Sequence, residues 1–171
     1  MTYADKSTYQ GDWVAGSRSG QGTLTKPNGT IYKGKFAKDC MQGQGTLVNS
    51  DGSTYTGDFH ENEFNGQGTC KYADGSQYSG NWKKDKMHGF GTFKMADGSC
   101  YEGEFRENVI HGKGKLTEPD GKVQTGEWEN GELTKTQDAI DAAKEEQKKV
   151  QEDLVQGLLK AYNSKKKKAG K

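Results

Sequence analysis

The chain has 171 residues, a formal net charge of +1 and 29% hydrophobic residues, of which only 22 are Leu, Ile, Val or Phe. So small an aliphatic share excludes a thick hydrophobic core, while 17 aromatic residues on a nearly neutral chain argue against disorder. No stretch reaches the roughly 18 consecutive apolar residues of a membrane span, and the first residues, MTYADKSTYQGDW, lack the apolar run of a secretory signal.

From the first tyrosine onward the chain repeats with a period of 23 residues. Tyr9, Tyr32, Tyr55, Tyr78 and Tyr101 mark it, and Gln124 takes the next slot. Two positions on stand Gly11, Gly34, Gly57, Gly80, Gly103 and Gly126; two further stand Trp13, Phe36, Phe59, Trp82, Phe105 and Trp128. After a spacer come the pairs Gly20/Gly22, Gly43/Gly45, Gly66/Gly68, Gly89/Gly91 and Gly112/Gly114, each followed by Leu24, Leu47, Cys70, Phe93 or Leu116. Each unit closes on Asn28-Gly29, Asp51-Gly52, Asp74-Gly75, Asp97-Gly98 or Asp120-Gly121.

This pattern converts into strands. In Tyr32-Lys33-Gly34-Lys35-Phe36 the rings and glycine alternate with lysines, which sorts them onto opposite faces. Gly43-Gln44-Gly45-Thr46-Leu47 alternates in the same way. Asn-Gly and Asp-Gly between alternating segments predict hairpins with both turn residues at φ > 0. The expected fold is mainly β, a single-layer antiparallel meander of about eleven short strands. Glycine inside a strand normally weakens it. At fixed offsets beside rings it is expected to leave room for an aromatic to lie on the backbone, so that stacked rings hold the sheet.

The unit YxGxF/W…GxGxL…DG, as in YKGKF…GQGTL…DG over 32–52, resembles the MORN repeat (membrane occupation and recognition nexus). Five full repeats begin near residues 9, 32, 55, 78 and 101, with a half repeat at 124. Residues 1–8 look like the trailing half of a unit, with Lys6 where the turn glycine would stand. Small MORN proteins of this kind often serve in cytoskeletal assemblies, ciliary axonemes included. The resemblance therefore implies a scaffold or adaptor.

Three segments are expected: the repeat sheet over 1–133, a C-terminal helix over 134–162, and a basic tail over 163–171. Thr134-Lys135-Thr136-Gln137 fits a capping box. Ile140, Ala143, Val150, Leu154 and Leu158 follow helical spacing, a stripe that Gln147 interrupts. This helix could fold back over its own sheet, form a coiled coil with a second copy or another protein, or merely cap the end. Charge divides at the same boundary, −3 over residues 1–133 and +4 over 134–171.

For function, the expected partner groove is lined by Tyr32, Phe36, Tyr55, Phe59, Tyr78, Trp82, Tyr101 and Phe105, supported by Leu47, Phe93 and Leu116. The expected helix face is Ile140, Val150, Leu154 and Leu158. The protein partner is read as a helix or extended peptide in a larger assembly. Lys165, Lys166, Lys167 and Lys168 could instead meet anionic lipid or a microtubule surface, which makes a phosphoinositide-binding tether the alternative. A further alternative is an accessory subunit that positions an enzyme. Nucleic acid is not indicated, nor is a small-molecule substrate.

Catalytic chemistry finds no support. His88 and His111 share a repeat slot, His60 stands beside Glu61, and no nucleophile context accompanies them. The Gly-x-Gly pairs do not extend to a phosphate-binding loop, and the Asp-Gly turns lack the spacing of a calcium loop. Cys40, Cys70 and Cys100, an odd number without a CxxC pair, read as reduced thiols of an intracellular, cytoplasmic protein. No enzyme, metal or cofactor is expected.

Overall fold

Rings, glycines and turns recur in phase because each repeat is one pair of strands, and the pairs join edge to edge. The computed structural model describes residues 1–169, with side chains as far as residue 157. Twelve strands form one antiparallel sheet in strict chain order. They are β1 (Thr8–Val14), β2 (Ser17–Thr25), β3 (Ile31–Ala37), β4 (Cys40–Val48), β5 (Thr54–His60), β6 (Glu63–Lys71), β7 (Gln77–Lys83), β8 (Lys86–Lys94), β9 (Cys100–Arg106), β10 (Val109–Thr117), β11 (Val123–Glu129) and β12 (Glu132–Thr136). A single helix, α1 (Gln137–Ala169), follows.

Register aligns the frame across the sheet. Gly11 faces Gly22, Gly22 faces Gly34, and this glycine row continues through Gly45, Gly57, Gly68, Gly80, Gly91, Gly103 and Gly114 to Gly126. Beside it each tyrosine meets an apolar slot on both sides, as Tyr55 meets Leu47 on β4 and Cys70 on β6.

The two glycines of a Gly-x-Gly pair do different work. Gly45 is the bed for Tyr32: a Cβ there would lie 2.5 Å from Tyr32 Oη and 2.6 Å from Cε2. Gly43 instead has φ +64 and sits where the pairing of β3 with β4 shifts register between Gly34 and Phe36. Such a bulge bends the strand and strengthens its twist.

The turns differ from expectation. In the Asp-Gly turns only the glycine is left-handed, for example Gly52 at φ +88. The loop is longer than a two-residue hairpin: Gly52 N donates to Asn49 O (3.0 Å) and Asn49 N to Ser53 O (2.9 Å). The turns with two left-handed residues lie in the spacer: Ala15-Gly16, Lys38-Asp39, Glu61-Asn62, Lys84-Asp85, Glu107-Asn108 and Asn130-Gly131. That φ pattern matches the twist of the strands they join.

The far end also differs. Residues 134–136, expected as the start of the helix, instead complete β12, because Leu133 pairs with Trp128 and Lys135 with Glu127. Thr134 Oγ1 donates to Glu127 O (3.0 Å), so it cannot cap a helix. Thr136 takes that role, accepting Ala139 N at 3.4 Å. The helix then continues beyond residue 162 to Ala169, through most of the expected tail.

At the other end the half repeat is real. Lys6 adopts φ +67, the conformation of the turn glycines. Tyr9 N donates to Met1 O (2.8 Å), and Met1's amino group to Tyr9 O (2.7 Å), so the first residues cover part of the β1 edge.

Candidate functional site

The eight rings expected to line an open groove are instead the core. Tyr32, Tyr55, Tyr78 and Tyr101 are 0–1% exposed, and Phe36, Phe59, Trp82 and Phe105 no more than 5%. They pack against one another beneath a row of partly buried apolar side chains; Phe64, for example, lies stacked on Tyr55 at 3.7 Å between centroids. Tyr32 stands edge-on to Phe36 of its own strand (5.1 Å between centroids, 90°) and to Phe59 of the next repeat (4.9 Å, 79°). The same two contacts recur from Tyr9 to Tyr101, ending on Trp128. Edge-to-face pairs of this kind add roughly 0.5–1.5 kcal/mol each beyond their buried area.

Each phenol is satisfied locally. Tyr32 Oη donates to Lys35 O, Tyr55 Oη to Asp58 O and Tyr78 Oη to Asn81 O, all at 2.9 Å. The indoles of Trp82 and Trp128 donate to Gly68 O and Gly114 O, both at 3.1 Å. Among the described residues no buried side-chain polar atom lacks a partner. Burial drives the Tyr32, Tyr78 and Tyr101 hydroxyls up to about 12 and raises those of Tyr55 and Tyr72 further.

What remains accessible on this face lies on top of the rings. Leu24, Leu47, Phe93 and Leu116 are half-buried, with Cys70 fully so. A second row missed in the sequence runs Met41, Phe64, Met87, Ile110 and Leu133, packed on the ring core. Its residues differ chemically, but all are apolar at a spacing of 23, and that was the available signal. A third row runs Lys26, Asn49, Tyr72, Met95 and Glu118 at the same interval, with Tyr72 and Met95 on the core. Together these rows make a long trough, apolar in the middle.

Over β2–β4 the trough holds a concavity of about 840 Å³ lined among others by Trp13, Arg18, Leu24, Lys26, Met41 and Leu47. Arg18 stands in the slot of Met41 and fills it by stacking, its guanidinium 5.2 Å from the centre of the Phe36 ring and 5.8 Å from that of Tyr9. Its Nε lies 3.2 Å from Asp39 Oδ1. Trp13, at the end of the ring series, stays 40% exposed.

The opposite face is mainly polar, apart from the exposed Ile31, Val48, Phe90, Val109 and Val123. Gln44 reaches Asp58 at 2.5 Å, Gln67 reaches Asn81 at 2.6 Å, and the Thr69 and Ser79 hydroxyls meet at 2.8 Å. Gln42 Nε2 donates to His60 Nδ1 at 3.1 Å. No group of three or more His, Cys, Asp or Glu side chains able to hold a metal occurs among the described residues. All three cysteines are free, and burial pushes the Cys70 thiol up, away from the reactive thiolate.

The helix meets the sheet mainly at β11 and β12. Ile140 is half-buried there, whereas Val150 and Leu154 are each 64% exposed and Val155 48%. Over its described side chains α1 therefore does not lie along its own trough. Leu158 and the side chains of Lys165, Lys166, Lys167 and Lys168 lie outside the described residues. No helix among the described residues is long and apolar enough to cross a membrane.

An open sheet built from one strand pair per 23 residues, stacked only on its neighbours, defines a tandem-repeat β protein. The MORN repeat model matches residues 9–31, 32–54, 55–77, 78–100 and 101–123. The chain belongs to the MORN-repeat family.

No curated protein matches it. Solved structures similar to it include the TCP10 domain of Danio rerio CPAP in complex with a peptide of Danio rerio STIL, at 17% identity and TM-score 0.44, covering 74% of this chain and 56% of that one. Another is the SAS-4 (dCPAP) TCP domain of Drosophila melanogaster in complex with a proline-rich motif of Ana2 (dSTIL), at 10% identity and TM-score 0.25, covering 73% and 92%. This chain thus spans little more than half the length of the first. Likeness at this level carries no argument about ligands.

Proposed function

We propose that this protein is a non-catalytic scaffold whose trough grips a helical or extended apolar segment of a partner protein, in a cytoskeletal or ciliary axonemal assembly. The observation that carries the reading is the division of labour between ring layers. Eleven buried residues, ten of them aromatic, build the sheet's core. The apolar rows above them, among them Met41, Phe64, Met87 and Ile110, pack on that core and keep their outer sides accessible. Aligned apolar surface on a stiff support suits capture of a partner with little ordering cost.

The eight rings then act as the bed beneath the contact residues, so replacing them would test folding rather than binding. The direct test places a photo-crosslinking side chain in cells at Met95 or Tyr72 in the trough and, separately, at Lys33 or Thr46 on the polar face. A discrete crosslinked partner from the trough positions alone is expected. Equal crosslinking from both faces, or none from the trough, would sink the reading.

A further inference from the structure

We infer that the trough of one copy is occupied by helix α1 of a second copy, running from the β2 end of that trough toward its β10 end; the inference rests on the proposed binding role of the trough. Both halves of such an interface are present in one chain. The trough is half-buried and apolar at its centre, and Val150 and Leu154, one helical turn apart, form an uncovered apolar face on the helix.

The occupant is a second copy rather than the chain's own helix for two reasons. First, α1 follows β12 with no intervening loop and leaves Val150 and Leu154 each 64% exposed rather than laid on its own sheet. Second, charge opposes the fold-back direction. Over residues 137–153 the helix carries six acids against three lysines, and over 154–169 five lysines and no acid. The trough carries Arg18 and Lys26 at its β2 end, where later repeats hold apolar or neutral residues, and Glu118 at its β10 end. Folding back from β12 would set the acidic start of the helix on Glu118 and its lysines on Arg18 and Lys26. A helix arriving from a second copy at the β2 end reverses both contacts.

The charges nearest to these groups reduce the contrast without inverting it. Asp39 pairs with Arg18, and Asp5 lies near Lys26 but is engaged by Ser7. At the other end Lys122 lies 3.8 Å from Glu118. Lys26 has no ion pair among the described residues.

The spans agree. Lys26 and Glu118 follow β2 and β10, eight strand spacings apart, or about 38 Å at ~4.8 Å each. Glu146 and Lys168, on the helix face that carries Val150 and Leu154, are 22 residues apart, or about 33 Å at ~1.5 Å per residue. With Glu146 over Lys26, Leu154 comes about 12 Å further along, between Asn49 and Tyr72.

Sedimentation of the full chain over a range of concentrations, at low and moderate salt, tests this. Self-association weakened by salt is expected, either as a closed pair or as an open series. Leu154→Asp, on the exposed helix face, should abolish it while leaving the far-ultraviolet dichroism of the sheet unchanged. Lys26→Glu should weaken it about tenfold, and Glu146→Lys should restore it in that background. A chain that stays monomeric, an oligomer indifferent to Leu154→Asp, or a Lys26→Glu defect that the helix swap does not rescue overturns the inference. A monomeric chain would leave the trough's wider role to the crosslinking result, so the two failures are distinct.

Discussion

Tyr32, Gly45 and Asp51 show how few atoms fix each repeat. A methyl group at Gly45 would press on the Tyr32 ring and hydroxyl at 2.5–2.7 Å, and the ring is held by its bond to Lys35 O. Gly52, by contrast, has nothing within 4 Å and only its φ of +88 to lose. Gly45→Ala should therefore cost about 2–4 kcal/mol through overpacking of a closed core, and Gly52→Ala about 1–2 kcal/mol through backbone strain alone. Urea unfolding of the two variants checks the order. At the half repeat the logic runs backwards: Lys6 already sits at φ +67, so Lys6→Gly should raise stability by roughly 0.5 kcal/mol despite the added freedom of the unfolded chain. The turn aspartates titrate with the fold. The Ser53 hydroxyl and then its backbone N–H hold Asp51 below the usual carboxylate range, as Ser7, Ser76 and Ser99 do for Asp5, Asp74 and Asp97. A lowered folded value stabilises above the unfolded value, about 3.9, and that stabilisation is lost as pH falls through the folded one. The buried tyrosines have the opposite edge: their contribution is present below about 10 and lost as pH rises toward about 12 at Tyr32, Tyr78 and Tyr101. The urea midpoint should therefore fall on both sides, and the acid limb should flatten in an Asp51→Asn, Asp74→Asn, Asp97→Asn variant.

Between repeats, the element that does most to hold spacing is the tight turn. Asp85 at φ +60 donates its backbone N–H to Phe64 O (3.1 Å) while its carboxylate accepts Phe64 N (2.8 Å), a two-point clip onto the repeat before it. Asn62 and Asn108 clip Met41 and Met87 in the same way, and Asp39 clips Arg18. Asp85→Ala should cost about 1–2 kcal/mol in urea unfolding, and Asp85→Asn much less, because the amide oxygen can still accept. These clips were written in the sequence as Asp or Asn every 23 residues at 39, 62, 85 and 108, within what was read as spacer. The repeat frame, the ring-and-glycine face and the single helix were legible because each rests on alternation or period, properties of one strand or helix. Burial was not legible in the same way. Whether Tyr32 faces water depends on Phe59 in the next repeat closing over it, a contact made only once adjacent units are docked. The start of α1 was misplaced for a related reason: Thr134 and Thr136 both suit a cap, and pairing of Leu133 with Trp128 decides between them.

At the scale of the whole molecule the sheet has no long-range closure: each strand pairs only with its neighbours in sequence. Stability is then nearly a sum of repeat and interface contributions, as in other one-dimensional arrays. The two ends are unequal. At β1 the first residues bind the outer edge, and Arg18 stacks over the last rings. At β12 the terminal strand is five residues long, and Gln124 stands where earlier repeats supply a buried tyrosine. Trp128 is thus the final ring, held on one side by Tyr101 at 5.5 Å and on the other by the short strand carrying Leu133. Trp128→Ala should detach β11 and β12 locally, whereas Phe59→Ala, with Tyr32 on one side and Tyr55 on the other, should break the array in two. Hydrogen exchange followed by mass spectrometry distinguishes the cases. Loss of protection confined to residues 123–136 is expected for Trp128→Ala, and loss spreading over β3–β6 for Phe59→Ala. Both effects follow from neighbour-only coupling, so uniform loss of protection in the two variants would mean that the sheet unfolds as one cooperative block.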